Sequence, residues 1–383
     1  MKTKNILWIV LVVVLAVIAL FYFLQQKKEQ EVIKIAVSLP LTGDAAVWGL
    51  SQKDGYELAL EKINNEVGIA GKEIELIYGD DKGLANEGVK VLRKFIDVDK
   101  IRILTGVANS SVALAYIPII TENKILFISS GASSPKLTGA SPYFFRTWPS
   151  DIAEALAMAR YAFKELQLKS ISILFINNDY GIGLTQPFKK EFESLGGKIK
   201  VSELFEQSAT DFRSQLSKIK NSKPDAIYLA GNPREMGRVI KQARELGINT
   251  LFLSISTLND PEVFTIAGEK ALEKVIITDA SFDPNSKRTE VQEFLKDFRY
   301  KFNKEPGILA NTAYDALNII MEGIKKVGDD PTELVQYLSQ MTGYKGVSGE
   351  IRFNEGGDVQ RPIRIKKFEG NTFIEILDNY YWY

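Results

Sequence analysis

From Val32 onward, short runs rich in Val, Ile and Phe alternate with longer stretches whose apolar residues recur every three or four positions. The short runs predict strands and the longer ones helices with one buried face. Val32–Leu39 predicts the first strand, and the helix after it sets Tyr56, Ala59, Leu60, Ile63 and Val67 on one side. Further strands are predicted at Ile74–Tyr78, Ile101–Thr105, Ile125–Ser129 and Phe144–Thr147, with a helix over Ser110–Thr121. The alternation then restarts, with strands at Ile171–Ile176, Lys198–Leu204, Ala226–Ala230, Leu251–Ser254 and Val275–Thr278. Helical patterns fall between them near Leu184–Leu195, Asp211–Lys220 and Glu235–Leu246.

Strand–helix alternation of this kind builds parallel sheets from βαβ units. Two more helical patterns, Glu290–Phe302 and Ala310–Val327, fit neither series in simple order. Ile351–Phe353, Ile363–Phe368 and Phe373–Leu377 predict hairpin strands with turns at Gly356-Gly357 and Gly370-Asn371. A chain of 383 residues suits two domains. The expectation is an α/β protein of two Rossmann-like lobes, with a chain that crosses between them more than once.

One segment departs from this rhythm. Ile6 to Leu24 is an unbroken apolar and aromatic run, with Lys2 and Lys4 before it and Lys27 and Lys28 after it. Nineteen residues at about 1.5 Å each span roughly the hydrocarbon core of a bilayer. The run predicts one N-terminal transmembrane helix, an uncleaved anchor with all folded mass on the outer face. The competing reading is a cleaved signal peptide.

Composition narrows the chemistry. Lys plus Arg equals Asp plus Glu at 48 each, so no net field favours nucleic acid. There is no His and no Cys. Ser-His-Asp and Cys-His nucleophiles are therefore excluded, as are the usual zinc, copper and iron–sulfur ligand sets. No phosphate loop and no Gly-x-Gly-x-x-Gly fingerprint follows a strand, so no cofactor is expected.

Ligands of open parallel sheets sit at the carboxyl ends of the strands. There the sequence places Pro40–Asp44 with Trp48-Gly49, then Gly106–Ser111, then Ser129–Pro135. Small and hydroxylated residues at helix N-termini suit a carboxylate. Ser110 and Ser133 are candidate ligands on this reading, and helix caps on the plainer one. In the second series Asn177–Gly183 follows a strand, offering Tyr180 as a wall and Asp179 as a polar contact or an N-cap. Asn232 and Ser256 occupy the next strand ends, and Trp48 reads as an apolar lid. Trp148-Pro149-Ser150-Asp151 reads as a crossover between the two series.

In order and spacing the chain resembles the solute-binding proteins of branched-chain amino acid ABC transporters, within the type I periplasmic binding proteins. The resemblance rests on Leu39–Gly43, Tyr78–Asp81, Arg146-Thr147, Tyr180–Gly183, Glu235–Gly237, Gln242–Gly247, Ile266–Glu269 and Tyr314–Ala316. It implies two lobes joined by three crossovers, 32–148 plus 281–346 and 149–280 plus 347–378. It implies a ligand α-carboxylate held by Ser110 and by Gly131, Ala132 and Ser133, with Trp48 and Tyr180 as aromatic walls. At Asn232 the family usually carries a ligand-contacting Tyr, and at Ser256 the acid that pairs with the α-ammonium. Either Asp179 or another acid substitutes, or the ligand lacks an ammonium group.

The implied protein is not an enzyme. It captures an amino acid or related carboxylate by hinge closure and delivers it to an ABC transporter permease, outside the cell membrane. The alternative is a sensing module for a separate membrane receptor or kinase, or a binder of a non-amino-acid organic acid or amide.

Overall fold

The computed structural model describes residues 8, 14, 32–65, 72–280, 283–361 and 363–380. The expected anchor, Ile6 to Leu24, lies outside the described residues apart from Trp8 and Val14. Among the described residues no helix is long and apolar enough to cross a membrane.

Two sheets organise the chain. The first holds β1 (Val32–Leu39), β2 (Glu73–Asp80), β3 (Ile103–Gly106), β4 (Leu126–Ser129) and β5 (Phe144–Arg146) in the order β2-β1-β3-β4-β5. Every pairing in it is parallel. The second contains β6 (Ser170–Ile176), β7 (Lys198–Phe205), β8 (Ala226–Ala230), β9 (Leu251–Ser254) and β10 (Val275–Asp279), ordered β10-β9-β8-β6-β7. Read from the β7 edge, the second sheet repeats the order of the first. In each sheet the order reverses beside the strand that opens the series, which leaves a crevice at the carboxyl ends.

The hairpin β13 (Ile363–Glu369) and β14 (Thr372–Tyr380) extends the second sheet antiparallel to β10. Its turn is Gly370-Asn371, both at positive φ, as its residue types predict. The short pair β11 (Tyr344–Gly346) and β12 (Gly349–Ile351) stands apart.

The helices that fitted neither series find their place in the first half. α1 (Ala46–Asn65) packs along the helix Ala310–Val327, with Tyr56 and Ala59 against Ala313, Ala316 and Leu317. Gly55 makes this approach possible: a Cβ there would lie 2.1 Å from the Ala310 carbonyl oxygen. Ile351, Phe353 and Val359 share the same core, and Phe145 stacks edge-on to Phe353 at 5.1 Å. This stretch lies in 347–378, which the resemblance implied for the second lobe; its apolar side chains pack on the first, so the last return to the second sheet comes after Val359.

Candidate functional site between the lobes

The loops after β1, β3 and β4 meet the loops after β6 and β9 across a cleft. Trp48, Ala108, Asn109, Gly131, Ser133 and Leu309 line it from the first half, Tyr180, Ile255 and Thr257 from the second, and Trp148 from the non-strand segment linking them. The space enclosed between these walls is about 30 Å³, so they stand close together and must part to admit a solute. Trp48 and Tyr180 meet across it edge to face at 5.9 Å. The Tyr180 hydroxyl is anchored to Thr257 Oγ1 at 3.1 Å.

Of the predicted residues, Trp48, Gly131, Ser133 and Tyr180 line this cleft directly. Ser110 stands behind Ser133. Its Oγ accepts from the backbone N–H of Ser133 (3.2 Å) and of Ser134 (3.0 Å). Ser129 Oγ likewise accepts from Ala132 N–H at 3.0 Å. The amides expected to cradle an anion are thus used to hold their own loop, and the hydroxyls of Ser110 and Ser133 are what remains to donate. Ser110 opens its helix without capping it: Asn109 is the N-cap residue and makes no side-chain cap bond.

Asp179 lies elsewhere. Its carboxylate is partly exposed and pairs with Lys136 at 2.9 Å, while its N–H donates to Ser111 Oγ at 3.3 Å. It ties the two halves together at the rim and does not enter the cleft; Asn178 is the cap of that helix, accepting from Gly181 N–H. Asn232 is fully buried and does not line the cleft; its side chain lies beside the Glu235 carboxyl.

Ser256 leads to two residues that the sequence reading missed. Its Oγ donates to Glu154 Oε1 at 3.4 Å. Glu154 and Asp151 sit one turn apart on the helix Asp151–Arg160, each 1% exposed. Asp151 N–H donates to the Ser133 carbonyl at 2.9 Å, which sets its carboxylate beside the cleft loop. Neither Asp151 oxygen has a hydrogen bond of full geometry, although the nearby Ser133 hydroxyl and the Arg146 charge favour ionisation. Burial outweighs them and pushes the Asp151 carboxyl up to about 7. Burial, with the charges of Asp151 and Asp279, pushes Glu154 up to about 8.

Tyr228 stacks on Phe188 at 3.8 Å, and its buried hydroxyl also lacks a partner. Buried polar atoms left open are rare and call for a partner, whether a bound water, an ion or a ligand group. Carboxylates in the first turn of a helix normally serve the helix dipole at the surface, which is why Asp151 and Glu154 gave no signal in the sequence. Their inward direction follows from the crossover at Trp148-Pro149, which drives the helix start between the two sheets.

Taken together, the cleft offers hydroxyl donors on one side, buried carboxylates beside them and an aromatic and aliphatic enclosure around both.

A profile of the family described as periplasmic binding protein matches residues 32–372. The Leu/Ile/Val-binding protein homolog 1 of Brucella abortus (strain 2308) is 29% identical over 331 residues, 86% of this chain and 88% of that protein. The crystal structure of a leucine binding protein from Thermotoga maritima superposes with a TM-score of 0.85 at 28% identity, covering 91% of this chain and 98% of that one. A solute binding protein of an ABC transporter from R. palustris, solved with benzoate, superposes with a TM-score of 0.83 at 22% identity. It covers 91% of this chain and 96% of its own, and at that identity the likeness is one of fold. The relatives are binding proteins rather than enzymes, as the residue inventory predicts.

Proposed function

Because this chain belongs to the periplasmic binding protein family and has its type I fold, we propose that it captures a free α-amino acid with an apolar side chain. The carboxylate is received by the hydroxyls of Ser110 and Ser133 beside Gly131 and Ala132. The ammonium is received by Asp151 and Glu154, which take over from the acid that Ser256 replaces. The side chain lies among Trp48, Trp148, Tyr180, Ile255 and Leu309. Asn232 and Asp179 act from outside the contact shell, one buried beside Glu235 and one at the rim.

One observation carries this reading: two fully buried carboxyl groups stand beside the cleft, and the Asp151 oxygens have no donor near them beyond the Ser133 hydroxyl. A buried carboxylate without a partner costs several kcal/mol, order of magnitude, and a bound ammonium removes that cost. The names of the relatives agree, since the Brucella and Thermotoga proteins are named for leucine, or for leucine, isoleucine and valine.

The lobes in this proposal are 32–148 plus 281–346 and 149–280 plus 347–378, with the final crossing moved to about residue 360 by the packing of Ile351, Phe353 and Val359. Closure around the ligand, delivery to an ABC permease and tethering to the outer face of the membrane by Ile6 to Leu24 complete the proposal.

Calorimetric titration with leucine and with its deaminated analogue tests the ligand class. Leucine is expected to bind and the analogue to bind at least about thirtyfold more weakly, the factor that goes with roughly 2 kcal/mol from an ion pair. Equal affinities, or binding of benzoate alone, overturn the ammonium half of the reading.

A further inference from the structure

The chain passes between the sheets three times: after β5 near Thr147, after β10 near Ala280, and before β13 near Arg361. Beside this junction, away from the cleft, lies a cavity of about 430 Å³. Four arginines line it, Arg288, Arg352, Arg361 and Arg364, against the two acids Asp283 and Glu350. Ser286 and Ser348 add hydroxyls.

Arg361 is the unusual member. It is 8% exposed, and its Nη2 donates to the Thr147 carbonyl at 2.7 Å, tying the first crossing to the third. Its Nε and Nη1 are buried and have no partner. Asp315 is the near carboxylate, but its oxygens accept from the N–H groups of Val347 and Ser348, each at 2.8 Å. Arg288 spends Nη2 on the Gly346 carbonyl at 2.6 Å and has Glu290 only at 3.8 Å. Arg364 is held by Asp279 at 3.4 Å. Arg352 is exposed at the rim, so its charge faces the cavity mouth.

Asp279, Asp283, Asp315 and Glu350 face the four guanidinium groups, so what stays open here is the pair of buried Arg361 donors, Nε and Nη1. Guanidinium forks match the oxygens of a planar or tetrahedral oxyanion. We propose that this junction cavity is a second ligand site, taking a small oxyanion that bridges Arg352 and Arg288 and neutralises Arg361 behind them. The site is independent of the amino acid cleft and sits where the crossings converge, so its occupant braces the hinge.

Inorganic phosphate is the probe. Thermal unfolding of the full chain is followed against phosphate, with sodium chloride at matched ionic strength as the control. The expected result is a midpoint that climbs with phosphate concentration and does not climb with chloride. Arg352→Gln, at an exposed position, is expected to weaken phosphate binding roughly tenfold with the protein's midpoint in chloride unchanged. Ser133→Ala, in the cleft, is expected to leave the phosphate response intact. No phosphate effect beyond chloride overturns the site. So does a response that survives Arg352→Gln or disappears in Ser133→Ala, because either places the anion elsewhere.

Discussion

Arg234 reaches from the second half of the molecule to Asp44 in the first: its Nη1 lies 3.2 Å from Asp44 Oδ1 while its Nε donates to Glu262 Oε1 at 2.8 Å. Ser208 adds a hydrogen bond to the same Asp44 carboxylate. Glu262 fixes the guanidinium on its own side, so little side-chain entropy remains to be lost when it meets Asp44. The pair therefore bridges the two halves, from the loop after β1 to the start of the helix after β8. Arg234 is about a third exposed, at 34%, which limits the bond to roughly 0.5–1 kcal/mol. Arg234→Met is expected to speed ligand release about two- to fivefold in stopped-flow measurements, with a smaller effect at high salt. An unchanged release rate removes the bridge as a restraint on opening.

Glu154→Gln keeps the shape of the helix start and removes one buried charge. Amino acid affinity is expected to fall by at least about 2 kcal/mol, while the deaminated analogue loses little. The ligand-free variant should be more stable than the parent at mildly alkaline pH, because a glutamine has no ionised form to desolvate. Calorimetry and thermal unfolding read the two effects separately.

Protonation gives an independent test. Asp151, held up at about 7, and Glu154, held up at about 8, are partly protonated near neutrality in the absence of ligand. An ammonium group binds their ionised forms, so binding releases protons. Affinity for the amino acid should rise by up to nearly a hundredfold per pH unit near pH 6, where both carboxyls must ionise, by roughly tenfold or less per unit between pH 7 and pH 8, and then level off. The ligand-free fold shows the opposite trend. These carboxyls bind protons more tightly folded than unfolded, so their contribution is greatest below about pH 4 and is lost as pH rises through 7 to 8. Titrations in buffers of different ionisation enthalpy count the protons; a pH-independent affinity contradicts the assignment.

Arg146 is fully buried and its Nε donates to Asp358 Oδ1 at 2.6 Å, with the Ser134 carbonyl and Thr138 hydroxyl taking its other nitrogens. It links the cleft loop to the strand-like segment that follows β12. Asp358→Ala leaves a buried cation without its counter-charge and is expected to cost about 3–5 kcal/mol in urea unfolding. The paired replacement Arg146→Met with Asp358→Leu should recover most of that loss.

Gly131 forms part of the cleft wall. A Cβ there would stand 2.9 Å from Ala108 Cα and 2.9 Å from Leu309 Cδ1. Backbone cannot yield as a long side chain can. Gly131→Ala should lose about 1–3 kcal/mol of stability by overpacking and weaken ligand binding more than it lowers the melting midpoint. Comparison of the two readouts separates a site effect from a general one.

The strand series was legible because its signal is local. Val32–Leu39, Ala226–Ala230 and Leu251–Ser254 have the predicted bounds, and the Gly370-Asn371 turn carries the residues that positive φ requires. The helix Asp151–Arg160 was not anticipated. Its alanine-rich stretch has no polar face to contrast with an apolar one, for it is packed on nearly every side. Trp48, Gly131, Ser133 and Tyr180 were found from their places at strand ends, since topology sends those ends to one crevice. Asp179 was misplaced for the same reason: a strand-end position fixes which crevice a residue faces, and not whether its side chain turns in or meets a lysine at the rim.

The order of apolar and polar residues determined by itself that two series of parallel strands form, and the absence of His and Cys determined which side-chain chemistries are unavailable. Which carboxylates lie buried beside the cleft was decided only by tertiary structure. Asp151 and Glu154 become unusual through desolvation by neighbours from both sheets, Ser133 and Ser256 among them, more than a hundred positions apart. Burial is a property of what surrounds a residue in space, and no local pattern along the chain records it.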